Sequence, residues 1–278
     1  MEQIKKFFLQ YKNYKLGVLG LAIVVCIALL SAMAPFIAPY DPYRQSTDIF
    51  LGPNSEHPLG TDNLGRDLFS RILYGGRISL IFGLVVGFLS LMVGILLGAI
   101  PGYYGGPLDD IFSRFFEVFL MIPRFFLILL VVSLYGNNIF YTMIITAATM
   151  WPSNAKITRT QVLTLRKRQY VDAARVSGAS SFRILFRHIL PNGIYPVIAN
   201  STLQMASAII LEAGLSFLGL GDPNFVSWGQ LLHGAMKNIT YWWNAAFPGI
   251  FLLLLALGFN MIGDGINYVL NPRMKERE

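Results

Sequence analysis

The chain has 278 residues, of which 54% are hydrophobic and only 13% charged, with a mean hydropathy of +0.54. A water-exposed globular domain carries about 25% charged residues, so this composition excludes one and suits a lipid-exposed surface. The formal net charge of +7 does not point to nucleic acid, because Lys and Arg cluster at the ends of apolar runs, and one cysteine, Cys26, excludes an internal disulfide or thiolate metal site.

A membrane span needs about 20 apolar residues. The first candidate runs from Leu16 to Ala38 and follows Lys5, Lys6, Lys12 and Lys15. A cleaved signal is the alternative, with Ala32-Met33-Ala34 as its cleavage site. The run exceeds the apolar core of such signals, about 7–15 residues, and Pro35 sits just past the cut, so an uncleaved span with a cytoplasmic N-terminus is expected. The second span is Ile78–Ile100, with Gly83, Gly87, Ser90, Gly94 and Gly98 near a four-residue spacing. Small residues in such a stripe let helix backbones approach closely in lipid.

After Pro101-Gly102, Asp109, Asp110 and Arg114 read as a polar turn. The third span then covers Val118–Tyr135, with Arg124 snorkelling beside Pro123. Asn137-Asn138 turns into a short fourth span, Ile139 to about Ser153, and the fifth and sixth are Ile194–Leu218 and Ala245–Val269. The expectation is an all-α polytopic bundle of six transmembrane helices. Residues 1–77 form the N-tail, first helix and extracytoplasmic segment, residues 78–270 a five-helix core with a loop at about 159–191, and residues 271–278 a polar tail. Eight Lys and Arg between Lys156 and Arg187 place that loop and both termini in the cytoplasm. The outer segment Pro39–Arg77 also holds four arginines. Its Asp62, Arg66, Asp67 and Arg71 have i,i+4 spacing that predicts a salt-bridged interfacial helix.

The loop carries the strongest signal. Val171, Ala174, Phe182, Leu185, Phe186 and Ile189 recur at helical spacing, with Arg166, Lys167, Arg168, Arg175, Arg183 and Arg187 on the other faces. This predicts two short amphipathic helices broken near Gly178, the second ended by Pro191. Ala173 and Ala174 leave room for another surface against the first helix. A basic amphipathic stretch lying flat on lipid is the alternative.

Asp172-Ala173-Ala174-Arg175, Gly178 and His188-Ile189-Leu190-Pro191 resemble the EAA loop of binding-protein-dependent ABC importer permeases. Asp172 stands where that pattern has Glu, and His188 where it often has Ile. His57–Leu80, Glu212–Pro223, Ser227–Leu232 and Phe259–Arg273 are similar to the peptide/nickel permeases, specifically the "C" subunit of dipeptide and oligopeptide systems. The resemblance covers nearly the whole chain. It implies a type I importer fold in the cell membrane, a heterodimer with a homologous permease subunit, two cytoplasmic ATPases and an extracytoplasmic solute-binding protein. It also implies that the loop couples to the ATPases and that substrate is a di- or oligopeptide, with nickel chelates or oligosaccharides as alternatives.

No segment matches the phosphate loop G-x-x-x-x-G-K-[ST]. The chain is therefore expected to be no enzyme and to bind no cofactor, with ATP and Mg held by partner subunits. A self-sufficient secondary transporter would show internal repeats or interrupted helices around midplane ion sites, and neither is evident. An intramembrane enzyme would need a nucleophile–base pair or metal cluster, yet His57, His188 and His233 all lie outside the spans. A calcium loop at Asp62–Gly65 lacks further ligands, so no metal is expected.

Intramembrane acids are functional candidates because burying them is costly. Glu212 lies about 18 residues into the fifth span, roughly 27 Å from its cytoplasmic end, where it could meet a substrate amine. Interfacial exposure, or pairing with an outer arginine, is the alternative. Asn260, Asp264 and Asn267 would form a polar stripe facing the bundle interior, which makes Asn260 and Asp264 candidates for the translocation path, while a helix-end cap or a packing role is the reading the pattern favours. Trp228, Tyr241, Trp242 and Trp243 read as an interfacial aromatic belt.

Overall fold

The computed structural model describes residues 9–270; the expected polar tail from Asn271 and the leading lysines Lys5 and Lys6 lie outside them. Among the described residues the chain is helical, with an isolated antiparallel bridge between Thr61 and Asp67. The principal helices are α1 (Lys15–Ala32), α2 (Leu68–Tyr104), α3 (Gly106–Met121), α4 (Arg124–Tyr135) and α5 (Ile139–Leu165). They continue as α6 (Gln169–Val176), α7 (Ser181–Arg183, Ile184–Ile189 and Leu190–Gly193 in succession), α8 (Tyr195–Leu215), α9 (Trp228–Ala235) and α10 (Trp243–Leu270).

Among the described residues four helices are long and apolar enough to cross a membrane: α1, α2, α8 with its continuation to Leu220, and α10. The expected third span is not one straight helix. It starts earlier, as α3, and bends by 73° into α4. Pro123 causes the break, since proline lacks an N–H and drives the preceding residue out of the helical region; Ile122 is extended, with φ −72° and ψ 123°. The expected polar turn at Asp109–Arg114 therefore belongs to amphipathic α3. The expected fourth span is also longer. Helix α5 runs 27 residues through Pro152, and its second half carries Asn154, Lys156 and Arg159.

Helix α2 is the centre of the bundle, and its small-residue stripe explains how. A Cβ on Gly83 would lie 2.7 Å from Ile209 Cδ1, and one on Gly87 would strike Met205, both on α8. Farther along, a Cβ on Gly94 or Gly98 would strike Asn154 or the Ala155 carbonyl on α5. A helix turns about 100° per residue, so a four-residue stripe drifts around the axis. The stripe thus serves two neighbours in turn, α8 and then α5. Helix α10 packs between α1 and α8, where Gly258 faces Val24 and Gly263 faces Leu203.

The segment before α2 is not the expected interfacial helix. Residues 61–67 form a tight turn, in which Asp62 accepts from the backbone N–H groups of Leu64 and Arg66 as well as from Arg66 Nε at 2.7 Å. Asp67 is instead the N-cap of α2: its Oδ2 accepts from the Ser70 N–H and hydroxyl, both 2.7 Å, while Oδ1 meets His57 Nδ1 at 2.9 Å. A carboxylate at this position satisfies helix-terminal donors that nothing else reaches. Trp228 is likewise no belt residue. It is 1% exposed, fills the space left by Gly75 and Gly76, and donates its Nε1–H to Ile72 O at 2.9 Å. Trp242, 59% exposed, fits the expected belt.

Candidate functional site

The loop after α5 folds as two short helices, α6 and α7, at the end of the bundle where α2 finishes. Val171 of α6 and Ile184, Leu185, Ile189 and Leu190 of α7 pack into one core with Ile95 and Ala99 of α2 and Val162 of α5. Their apolar positions therefore do not form one docking face. Val171, Ala174, Leu185 and Ile189 point into the bundle, whereas Phe182 and Phe186 stay exposed with ring centroids 4.4 Å apart. The two alanines separate in the same way. Ala174 packs against this core, while Ala173 is on the outer side with Val176, which is 90% exposed.

The bend between the helices is set at Gly178, with φ +79°. The Gly178 N–H donates to Arg175 O at 2.9 Å and the Ala179 N–H to Ala174 O at 3.1 Å. That pair is the Schellman helix stop, in which a left-handed residue lets two amides reach back to carbonyls of the last turn. No atom lies within 4 Å of a Cβ built on Gly178, so backbone conformation alone demands glycine there. Ser180 then caps α7, accepting from the Arg183 N–H.

Pro191 does not end α7. The helix widens to π geometry over Ile184–Ile189 and continues to Gly193. Widening removes the clash between the proline ring and the carbonyl four residues back. His188 is half-buried there, and its carbonyl accepts from Asn192 Nδ2 at 2.7 Å. Asp172 pairs with Arg175 Nη1 at 3.0 Å on the exposed side of α6.

Two arginines tie α5, which leads into this element, to its neighbours α2 and α3. Arg166, just past α5, donates through Nη1 to Tyr103 O at 2.9 Å and Gly102 O at 3.3 Å, closing free carbonyls at the end of α2. Arg159 holds Asp109 of α3 in a two-pronged pair, with Nη2 at 2.6 Å from Oδ2. Packed side chains thus join α6 and α7 to α2 and α5, and charged hydrogen bonds join α5 to α2 and α3. The loop proper begins at Arg166, since α5 extends through the expected boundary at 159.

At the opposite end, Glu212 is 2% exposed. The Ser216 hydroxyl donates to its Oε1 at 2.7 Å, and its Oε2 is buried without a hydrogen-bond partner. Neither interfacial exposure nor an arginine partner accounts for it. The α10 stripe lies differently from expectation: Gly263 and Gly265 face α8 and Tyr11, so Asp264 and Asn267 point away from this chain's bundle, with Asn260 half-buried at its margin.

Residues 94–276 match the family described as "Binding-protein-dependent transport system inner membrane component", and residues 2–54 match the "N-terminal TM domain of oligopeptide transport permease C". The chain belongs to the binding-protein-dependent inner-membrane permease family. The dipeptide transport system permease protein DppC of Bacillus subtilis is 36% identical over 95% of this chain and 84% of its own length. The oligopeptide permease OppC of the same organism is 36% identical, over 98% and 90%. The di/tripeptide permease DppC of Pseudomonas aeruginosa is 37% identical, over 98% and 93%. An inward-facing structure of the MetNI methionine ABC transporter superposes with a TM-score of 0.54 at 18% identity, covering 72% of this chain and 96% of that one. This last likeness shows the fold.

One feature of this permease was missed in the sequence. Asn154 Nδ2 donates to Ser90 Oγ at 3.0 Å and Gln204 Oε1 at 2.8 Å; Gln204 Nε2 donates to Met150 O at 2.9 Å, and Asn200 Nδ2 to Asn154 Oδ1 at 2.8 Å. The knot ties α2, α5 and α8 above the α6–α7 element. The available signal was the i,i+4 pair of amides Asn200 and Gln204 within the fifth span, since buried amides seek partners across helices. Asn154→Ala is expected to lower unfolding stability by about 2 kcal/mol, because several bonds are lost at once. Unfolding in mixed micelles tests this, and stability equal to that of the exposed-site control Thr160→Ala would show that the knot is energetically neutral.

Proposed function

We propose that this chain is the C-type permease subunit of an ATP-driven, binding-protein-dependent importer of di- and oligopeptides. The observation that carries this is the match to peptide permeases over nearly the whole chain. On this reading six spans, α5 and the bent α3–α4 pair included, cross the membrane with both termini in the cytoplasm. The homologous second permease subunit completes the path. Two cytoplasmic ATPases bind ATP and Mg, and a solute-binding protein delivers peptide outside.

The outer face of α6 and α7 docks on an ATPase: Ala173, Val176 and Phe182 provide apolar contact beside Asp172 and Arg175, while Ala174, Gly178, His188, Leu190 and Pro191 hold the element's shape. ATP-driven closure of the ATPase pair moves this element; α2 and α5 follow because they share its apolar core, and α3 follows α5 through the Arg159–Asp109 pair. The bundle then alternates between inward- and outward-facing states. Asn260 and Asp264 face the seam with the second subunit, where an exposed intramembrane acid finds water or a partner. Glu212 reaches substrate when the junction of α8 and α9 opens.

The test is reconstitution in proteoliposomes with the second permease, both ATPases and the binding protein. Labelled peptide should accumulate only with ATP and binding protein present; accumulation without the ATPases would overturn the reading. Glu212→Gln should lower the uptake rate several-fold in the same assay, and unchanged uptake of every peptide tested would remove it from the path.

A further inference from the structure

The end of the bundle opposite α6–α7 holds a cavity of about 280 Å³ lined by Arg66, Arg71, Gln230, His233 and Lys237, among others. Its cationic groups outnumber their carboxylate partners. Asp62 takes Arg66 Nε at 2.7 Å and stands 3.5 Å from Arg71 Nε, so a single acid serves two arginines. Arg71 is 4% exposed and gives Nη1 to Pro42 O at 2.8 Å, yet its Nε makes no hydrogen bond. Other nearby acids are occupied or set back. Asp222 accepts from the Ile139 and Asn224 N–H groups at 3.0 Å, and Glu212 sits behind Ser216. His233 directs Nδ1 to Phe217 O at 2.7 Å. A buried donor without a partner is costly and calls for an explanation.

We propose that this cavity binds the C-terminal carboxylate of the transported peptide as it enters the permease. The inference rests on the peptide-importer reading. A carboxylate matches the planar guanidinium fork and forms charge-assisted hydrogen bonds that an amide or hydroxyl cannot equal. Arg71, fixed in the first turn of α2, supplies the buried donor, and Lys237, exposed at the rim, draws the anion in. Arg71 lines the cavity although it is almost fully buried, so a small carboxylate at a chain terminus reaches it where a broad protein surface does not.

The test separates this assignment from the reading beneath it. The assembled permease–ATPase complex is placed in zwitterionic nanodiscs without binding protein, and a fluorine-labelled dipeptide is titrated by NMR against its C-terminal amide. The free acid should broaden the fluorine line and the amide should not. Lys237→Gln should weaken the acid's binding about twofold to fivefold, the scale of one exposed ion pair. Arg71→Lys, which keeps the charge but removes the fork, should weaken it as well. Arg71→Lys affects a buried site, so the rim variant stands as an independent measurement if that protein fails to fold. Equal broadening by acid and amide, or binding unchanged in Lys237→Gln, would overturn the assignment even where wild-type vesicles import peptide. Absence of ATP-driven peptide import by the wild type would instead overturn the peptide reading and this assignment with it.

Discussion

Gly178→Val is expected to leave the chain inserted in the membrane while lowering transport per ATP hydrolysed about tenfold, the effect of roughly 1.4 kcal/mol on the coupled step. The left-handed conformation at Gly178, φ +79°, costs an L-residue roughly 1–2 kcal/mol, and more for a β-branched one. Nothing surrounds the site, so the substitution acts through the backbone and not through packing. Relaxing that strain breaks the two N–H hydrogen bonds to Ala174 O and Arg175 O, and with them the fixed angle between α6 and α7. Gly178→Asn is the discriminating companion, because asparagine tolerates the left-handed region; it should retain most of the coupling. The measurement is the ratio of peptide uptake to phosphate release in reconstituted vesicles. A normal ratio in the valine variant would mean that this bend does not carry the coupling.

Gly98→Ala is expected to have the largest effect on stability. The added Cβ would overlap the Ala155 carbonyl and lie 2.9 Å from Ala155 Cα, so helix backbones would have to separate. Overpacking of this kind costs about 1–3 kcal/mol, with a rigid backbone contact at the upper end. The neighbouring contacts would loosen too, since Gly94 and Gly102 meet α5 on either side. Gly249→Ala is the control, with Leu232 Cδ2 4.0 Å from its added carbon. It should be neutral or slightly stabilising, because alanine favours helix over glycine by up to about 1 kcal/mol. Thermal unfolding in detergent distinguishes the two. Equal melting temperatures for both variants would show that the α2–α5 contact yields without cost.

The difference between these sites shows what a glycine in the sequence does and does not reveal. Gly178 was legible as a helix break, because a glycine between two amphipathic runs in a basic loop has few other readings. Gly98 was legible as one of a stripe of small residues, but its partner was not: four-residue spacing winds about the helix, and only the packed bundle assigns Gly83 and Gly87 to α8 and Gly94 and Gly98 to α5. Asp67 makes the same point. Its spacing from Arg71 suits an i,i+4 ion pair, yet capping α2 and bonding His57 satisfy more donors, and a capping carboxylate is not free to pair elsewhere.

Apolar run lengths and the basic loop determined from sequence that this chain is helical and built for lipid, because runs of about 20 apolar residues suit spanning helices that satisfy their own amides, whereas barrel strands need only about 10. The ordered motifs determined its family, which the comparison with peptide permeases shows. Tertiary structure alone decided which face of each helix is used. Val171 and Leu185 turn into the bundle while Val176 and Phe182 turn outward, Trp228 enters the core, and Asn154 joins Ser90 and Gln204. Those choices depend on neighbours distant in sequence, and hydropathy in a lipid-facing helix says little about them, since lipid and protein interior are similarly apolar.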